Sequence, residues 1–418
     1  MICLDDGSNP SRSTKNKRNS LKWVPFCIFN NITKLIKHMK HLTKFSTEEL
    51  YNASPYPKEF PNVSSINGDD VRYQYIWKYE YLTLHALESG TITITIPATV
   101  TSSYATFIAY SKDKQNWTLT QVNSTAQTIS ITVDTDDRVH LRGQAKAWAI
   151  DGYSNCTRIN STCNINVYGN IASLIHPTLF YTNLSPLSNY FKSYAFAGLF
   201  RANSHLISAK NLVLEYNYNY IYNNMFGFCS SLQIPPKLPA TTLYQSCYGN
   251  MFNQCTSLKI APELPATTLA SSCYNGMFSF CSSLVVPPKL PATTLVASCY
   301  ASMFNECTSL KIAPKLPATT LASSCYNGMF ESCGSLVAAP DLLATTLVNG
   351  CYERMFAECT NLKYIKAMFT TEPSDTYTYQ WMDMVAENGT FVKNSAATWT
   401  NTGVNAVLPA WTIQTAAS

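Results

Sequence analysis

The sequence predicts an α+β multidomain protein, in which an N-terminal antiparallel β-sandwich precedes an α/β solenoid of 26-residue repeats. Two observations predict this organisation. A 26-residue block recurs in strict register along the second half of the chain, and a period-two alternation of apolar residues comes before it. No apolar run approaches the roughly 18 residues of a membrane-spanning helix, so we expect no membrane span.

The repeated block opens with LPATTL at Leu238, Leu264, Leu290 and Leu316, and with LLATTL at Leu342. Each copy continues with Cys-Tyr, then Met-Phe, then a second Cys, and a Leu three residues beyond that Cys. A fixed period of this length marks stacked supersecondary units, none of which can bury its apolar side alone.

Each unit is predicted to contain one short helix and one strand. In CYNGMFSFC, the residues Cys273, Met277 and Cys281 are four apart and would share one helix face over about two turns. The stretch SLKIAP at 257–262 is short, β-leaning and ends on a proline, which predicts a strand. One strand and one short helix per unit is the leucine-rich-repeat plan.

Counting back by 26 residues from Met251 reaches Met225 and then Leu199, with Asn203 where later units have their second Cys. The solenoid is therefore predicted to span 186–366, with a terminal first unit that faces the preceding domain. Neighbouring copies also alternate between KIAP and VVPP or VAAP, which is a 52-residue super-repeat.

The skeleton LPATT-L-x3-CYxxMFxxCxSL resembles the BspA-like leucine-rich-repeat family of bacterial surface proteins. That resemblance implies adhesion and the binding of diverse partners. Residues 45–66 resemble the segment that opens structural and fibre proteins of phages infecting gut Bacteroidota, and this implies that Met39 is the true start. The phrase NVYGNIASL at 166–174 also occurs before the repeats in similar proteins, which implies a junction.

Residues 1–44 hold nine Lys or Arg and two Asp, whereas the remainder holds 21 basic and 23 acidic residues. We predict a disordered basic leader over 1–44 and a docking segment over 45–70. The rival interpretation is a basic amphipathic helix lying on a membrane. The body has no broad basic face, so we expect no nucleic-acid binding. The apolar stretch at 23–29 is too interrupted for a signal peptide.

Period-two alternation predicts a β-sandwich over 71–180. Turn signals at 88–90 and 112–116 separate its strands. The apolar residues expected on the buried strand faces are Ile92, Ile94, Ile96, Ile129, Ile131, Val133, Val139 and Leu141.

Eleven of the fifteen cysteines lie at two repeat-fixed positions. Reduced, buried columns of Cys are the favoured interpretation, and disulfides between adjacent units are the alternative. Cys156 and Cys163 leave a hairpin disulfide open. Since there is no CxxC pair and no His after His205, we predict no metal site and no cofactor.

A C-terminal cap is predicted over 367–418, where the aromatic residues Trp381, Phe391, Trp399 and Trp411 would cover the end of the solenoid. The alternative is a sugar-binding aromatic platform.

No catalytic motif is present, and the carboxylates are scattered, so we predict a protein that is not an enzyme. The leading hypothesis is a phage virion or tail-fibre-like adhesin, located in the virion, that contacts a bacterial surface glycan or protein. The alternative is a bacterial cell-surface adhesin that binds host matrix proteins or mediates co-aggregation. Other virion proteins and a homo-oligomer are further expected partners. The candidate partner-binding residues are Gln233, Lys259, Lys311, Lys363 and Tyr364, although ordinary solvated positions would look the same.

Overall fold

The computed structural model describes residues 80–181 and 190–416, which lie within one compact unit. The predictions for 1–44, for 45–70 and for Met39 fall outside the described residues, as does the start of the predicted sandwich. The described chain is rich in β-structure, as the sequence predicts.

The α component of the predicted fold class is wrong. Helix in the described ranges is limited to three single turns, at Ile171–Leu174, Leu179–Tyr181 and Asp375–Thr378. None of these lies in the repeated block, so the short helix predicted for each unit is absent from it.

The N-terminal part contains eight strands: β1 (Leu82–Ala86), β2 (Gly90–Ile96), β3 (Ala105–Ser111), β4 (Thr118–Gln121), β5 (Gln127–Val133), β6 (Arg138–Ala145), β7 (Arg158–Ser161) and β8 (Ile165–Asn170). A ninth strand, β9 (Leu206–Val213), follows within the first repeated unit. One sheet has the order β4-β3-β6-β1-β8-β9, and a second has the order β5-β2-β7.

The strands predicted from alternation are confirmed. In β2 the residues Ile92, Ile94 and Ile96 are fully buried, while the threonines between them point away from the core. β2 pairs antiparallel with β5, which places Ile92 opposite Ile131. Buried residues of both sheets belong to one hydrophobic core that continues into the repeated units.

The first repeated unit is joined to the N-terminal strands by main-chain and side-chain hydrogen bonds. β9 pairs parallel with β8, and the Trp148 N–H donates to the Ala195 carbonyl at 2.9 Å. Asn203, which stands at the second-Cys position, is buried and donates from Nδ2 to the Ile159 carbonyl of β7 at 3.2 Å. Its side chain is longer than that of Cys and therefore reaches β7, which lies against the first repeated unit.

The segment predicted to be a helix is instead a run of turns with a left-handed residue at every fourth position. In the second LPATTL unit, which begins at Leu264, these residues are Ser272, Gly276 and Phe280, with φ of 55°, 60° and 62°. A residue with positive φ interrupts an α-helix, and in a four-residue turn it stands at the third position of type II. Apolar residues four positions apart lie on the same side both of an α-helix and of this run of turns. The sequence pattern therefore does not distinguish the two.

Main-chain N–H groups in this segment alternate between two kinds of acceptor. The Met277 N–H donates within its unit to the Tyr274 carbonyl at 3.1 Å, three residues back. The Phe278 N–H donates to the Met303 carbonyl of the next unit at 3.0 Å. Every second N–H therefore finds its main-chain acceptor only when another unit lies against it.

Aromatic residues of successive units stack in two columns. Consecutive tyrosine rings from Tyr222 to Tyr352 lie 5.7–6.0 Å apart between centroids, and their planes are within 15° of parallel. Consecutive phenylalanine rings from Phe200 to Phe356 lie 5.5–5.9 Å apart. These distances measure the rise from one unit to the next.

The predicted strand at 257–262 is reduced to single parallel bridges, such as that between Ile260 and Val286. In this bridge the Ala261 N–H donates to the Val286 carbonyl at 3.1 Å. Within the described residues no such bridge joins Val286 to Ile312. The residue after Val286 is Pro287, which lacks the N–H that Ala261 uses. The proline after Val286 thus removes one bridge, whereas Ala338, which is followed by Ala339, is bridged to both Ile312 and Tyr364.

After the repeats, β10 (Tyr364–Ala367), β11 (Thr390–Lys393) and β12 (Thr412–Thr415) form a parallel sheet. The turn ladder also continues into this region, since the Phe356 N–H donates to the Trp381 carbonyl at 3.1 Å.

The left-handed positions make a specific stability prediction. Gly276→Ala places a Cβ against the Asn250 Oδ1 at a positive φ, and we expect the free energy of unfolding to fall by about 1–2 kcal/mol. Gly334→Ala is the matched control, because its φ is not in the left-handed region and its Cβ would have ordinary contact with Thr360 at 3.6 Å. Denaturant unfolding of both variants tests this, and equal losses would contradict the turn geometry.

Candidate binding surface

The units from Leu232 to Leu362 each expose the two residues that follow a buried leucine. In the unit that contains Leu258, the side chain of Leu258 is fully buried and Pro262 is buried, while Lys259 and Ile260 face solvent. The same burial pattern occurs in the neighbouring units because the ladder holds them in register. We call these residues the exposed strip: Gln233, Ile234, Lys259, Ile260, Val285, Val286, Lys311, Ile312, Val337, Ala338, Lys363 and Tyr364.

The exposed strip is unusually apolar for a surface. Ile312 is 73% exposed and Ile260 is 58% exposed, and Val285, Val286 and Val337 are each close to half exposed. Contiguous apolar side chains on a surface typically mark a site of interaction. The strip is therefore the strongest candidate for a binding surface among the described residues.

All five candidate residues from the sequence lie in this strip and are exposed. The lysines Lys259, Lys311 and Lys363 occupy the same position in units two apart, and Val285 and Val337 occupy it in the units between. Tyr364 is the first residue of β10 and is bridged to Ala338. The structure thus brings the candidates together along one line; it does not test what they bind.

A second column of charged side chains runs beside the strip, at Lys237, Glu263, Lys289, Lys315 and Asp341. Lys366 Nζ forms an ion pair with Asp341 Oδ2 and donates a hydrogen bond to it at 2.9 Å. This hydrogen bond raises the pKa of Lys366. The ion pairs found in the described chain do not include Lys259, Lys311 or Lys363.

A tyrosine cluster on the first units was missed by sequence reasoning. The rings of Tyr194 and Tyr220 stack at 4.5 Å and 17°, and both residues have positive φ, of 65° and 58°. Tyr153, which is 54% exposed, accepts a hydrogen bond at its hydroxyl from Asn250 at 3.3 Å. Later units hold small residues at the Tyr194 position, namely Ser246, Ser272, Ser298, Ser324 and Gly350. The replacement of these small residues by tyrosine in the first two units is the feature of the sequence that indicates the cluster.

The repeat cysteines are buried free thiols. Cys281 Sγ donates to the Phe252 carbonyl of the preceding unit at 3.1 Å, and its equivalents make the same contact. Burial raises the pKa of the Cys281 thiol to about 12, so the reactive thiolate is strongly disfavoured. In residues 80–181 and 190–416, no group of three or more His, Cys, Asp or Glu is arranged to hold a metal ion.

The C-terminal aromatic residues are buried, with Trp381 and Phe391 fully so. The indole N–H of Trp381 donates to the Ala406 carbonyl at 2.8 Å, and that of Trp411 donates to the Ala386 carbonyl at 2.9 Å. An aromatic platform for a sugar needs an exposed ring face, which these side chains do not present.

One buried polar cluster combines a histidine, a hydroxyl and a carboxylate. His140 Nδ1 lies 2.9 Å from Thr83 Oγ1 and 3.7 Å from Glu80 Oε1, and Glu80 Oε2 receives a hydrogen bond from Lys114 at 2.6 Å. Thr83 is fully buried and His140 is 5% exposed. A substrate cannot reach these atoms, and the cluster instead joins β1 to β6.

No helix in the described part of the chain is long and apolar enough to cross a membrane. No family model, no curated protein and no solved structure shows significant similarity to the chain.

His140 gives a pH dependence of known sign. Burial, followed by the charges of Lys114 and Arg138, lowers its pKa from 6.5 to about 3. The folded state therefore holds the neutral imidazole while the unfolded chain takes up a proton. The contribution of neutral His140 to the free energy of unfolding is fully present above pH 6.5, the ordinary pKa of histidine. It is lost as the pH falls toward about 3, the pKa of His140 in the folded protein.

We expect the free energy of unfolding to fall by up to about 1.4 kcal/mol per pH unit between roughly pH 6.5 and 5. His140→Gln should remove that slope, and denaturant unfolding at several pH values measures it. Parallel pH profiles for the two proteins would contradict the assignment to His140.

The thiol columns can be counted directly. In a variant with Cys3→Ser and Cys27→Ser, we expect the thirteen remaining thiols to react slowly with Ellman's reagent in the folded protein. All thirteen should react at once in denaturant without reductant. Because a Cys156–Cys163 disulfide would remove two thiols, a count below eleven in denaturant would show a disulfide that involves a repeat cysteine.

Proposed function

We propose that this protein is a non-catalytic binding and structural protein, and that its exposed strip contacts a glycan or protein on a bacterial surface. The observation that carries the proposal is the strip itself, where Ile260 and Ile312 remain largely exposed in units that otherwise bury their apolar residues. Repeated exposure of large apolar side chains typically marks a surface that a partner covers.

The repeated units are proposed to form a leucine-rich-repeat solenoid of the BspA-like kind, carried on a β-sandwich. The hydrogen-bond ladder and the stacked aromatic columns support the solenoid, since each unit contacts its neighbours in the same way. The shared core of the two N-terminal sheets supports the sandwich.

We further propose that the protein is a phage virion or tail-fibre-like adhesin. Support comes from the low content of charged residues, 13%, and from the resemblance of residues 45–66 to structural proteins of gut phages. Residues 166–174 resemble a segment found before the repeats in both gut-phage and gut-bacterial proteins. In this proposal the segment at 45–70 docks the chain to other virion proteins, and the repeats hold the strip away from the particle. A homo-oligomer would present several strips at once.

A role without catalysis is supported by the placement of the titratable groups. The cluster of His140, Thr83 and Glu80 is buried, and burial raises the pKa of repeat thiols such as Cys281. The strip itself contains no carboxylate, histidine or cysteine.

Binding to cells tests the proposal. We expect fluorescently labelled full-length protein to bind selected strains in a panel of gut bacteria. Ile260→Ser together with Ile312→Ser should weaken that binding at least about tenfold, because two apolar contacts of roughly 1 kcal/mol each are lost. Flow cytometry over a concentration series gives the apparent Kd.

The matched control replaces two exposed apolar residues outside the strip, Leu119→Ser with Ile413→Ser, and should bind as the unchanged protein does. Equal binding by the unchanged protein and both variants would show that the exposed strip is not the binding surface. Binding to host matrix proteins and to none of the strains would favour the cell-surface adhesin instead.

A further inference from the structure

We infer that the partner of the exposed strip is an anionic polysaccharide with one negative charge on every second sugar. This inference deepens the proposed function and depends on it. It starts from the column of Lys259, Lys311 and Lys363, in which a lysine recurs at every second unit and valine occupies the units between.

The spacing of these lysines follows from the stacking distance. Phenylalanine rings of three consecutive units, Phe252, Phe278 and Phe304, are separated by 5.6 and 5.7 Å. Lysines two units apart are therefore roughly 11 Å apart along the stack. Two sugar residues of an extended polysaccharide span a similar length, so one anionic group per disaccharide would meet each lysine in turn.

The charge of the column is free to meet a ligand. Lys259, Lys311 and Lys363 are exposed, and the ion pairs of the described residues involve none of them. No acidic residue occupies their position in any unit from Gln233 to Lys363. A row of unpaired cations at fixed intervals favours a partner with anions at matching intervals.

Apolar side chains stand directly beside each lysine. Ile260 follows Lys259, and Ile312 follows Lys311. In the unit between them, Val286 occupies the position of Ile260 and Ile312. Sugar rings present C–H faces that pack on aliphatic and aromatic side chains, and their carboxylates extend from the ring edge. A polymer of alternating charged and neutral sugars satisfies both features of the strip.

Other polyanions fit the spacing less well. A nucleic-acid strand carries one phosphate per about 3.4 Å of helix axis, several times the charge density of the lysine column. An extended acidic peptide repeats its side chains on one face at about 6.8 Å, which does not match two units. The geometry therefore favours the polysaccharide over both.

Hyaluronan is the defined probe, because it carries one carboxylate on every second sugar, and dextran is the neutral comparison. We expect the full-length protein to bind immobilised hyaluronan but not dextran, with affinity that falls as NaCl is raised. K259Q/K311Q should weaken hyaluronan binding about tenfold.

The control variant K289Q/K315Q removes the same charge from exposed lysines of the neighbouring column and should change binding less than about twofold. K259R/K311R keeps the charge and should retain binding. Circular dichroism and thermal unfolding confirm that all variants are folded.

Two results would overturn the inference: hyaluronan binding no stronger than dextran binding, or equal losses in K259Q/K311Q and K289Q/K315Q. If cells are still bound while hyaluronan is not, and K259Q/K311Q binds cells normally, the polysaccharide inference fails and the proposed function stands. If neither cells nor hyaluronan are bound, the proposed function fails as well.

Discussion

The structure of the repeated part depends on one interaction, the hydrogen bond from every second main-chain N–H of a turn segment to a carbonyl of the next unit. In an α-helix these donors would be satisfied within the segment, and a unit could keep its shape alone. Here the left-handed residue at every fourth position turns alternate peptide groups outward along the stack. A neighbour that covered those groups without accepting their hydrogen bonds would leave them unpaired in an apolar environment, which costs about 1–3 kcal/mol each.

The side-chain columns follow from that main-chain register. Because adjacent units have the same conformation and lie in register, equivalent residues of the two units are in contact. The tyrosine and phenylalanine rings therefore stack nearly parallel. The second Cys of each unit fits the same scheme, since its thiol donates to the carbonyl of the phenylalanine one unit earlier. The first and last repeated units each have a neighbour that is not another repeat, and their contacts differ accordingly. Asn203 replaces Cys where the neighbour is β7, and Trp381 lies 6.1 Å from both Tyr352 and Phe356 at the other end.

Much of this organisation could be predicted from the sequence, and the remainder could not for identifiable reasons. The 26-residue period and the alternation in β2 directly report which residues share a buried face, and both predictions of burial agree with the structure at Met277 and Ile94. The helix in each unit was wrong because Cys273, Met277 and Cys281 recur at four residues in both a helix and a run of turns. Glycine and serine at Gly276 and Ser272 are compatible with a left-handed backbone, but Phe280 at the third such position conceals the pattern. The sequence predicts the polar residues of the exposed strip, such as Lys259, on the face of a strand, but it does not predict that Ile260 beside Lys259 is exposed as well. The tyrosine cluster involves Tyr153, which precedes the repeats, and the 26-residue period does not show that Tyr153 contacts Asn250.

The measurement that tests the central claim most directly is the scalar coupling across the hydrogen bond from the Phe278 amide nitrogen, recorded by NMR on deuterated protein. Our account predicts a coupling to the carbonyl carbon of Met303, in the next unit. A coupling to the carbonyl carbon of Tyr274 would instead show a helical bond within the unit, and would contradict the ladder on which the stacked columns and the exposed strip depend.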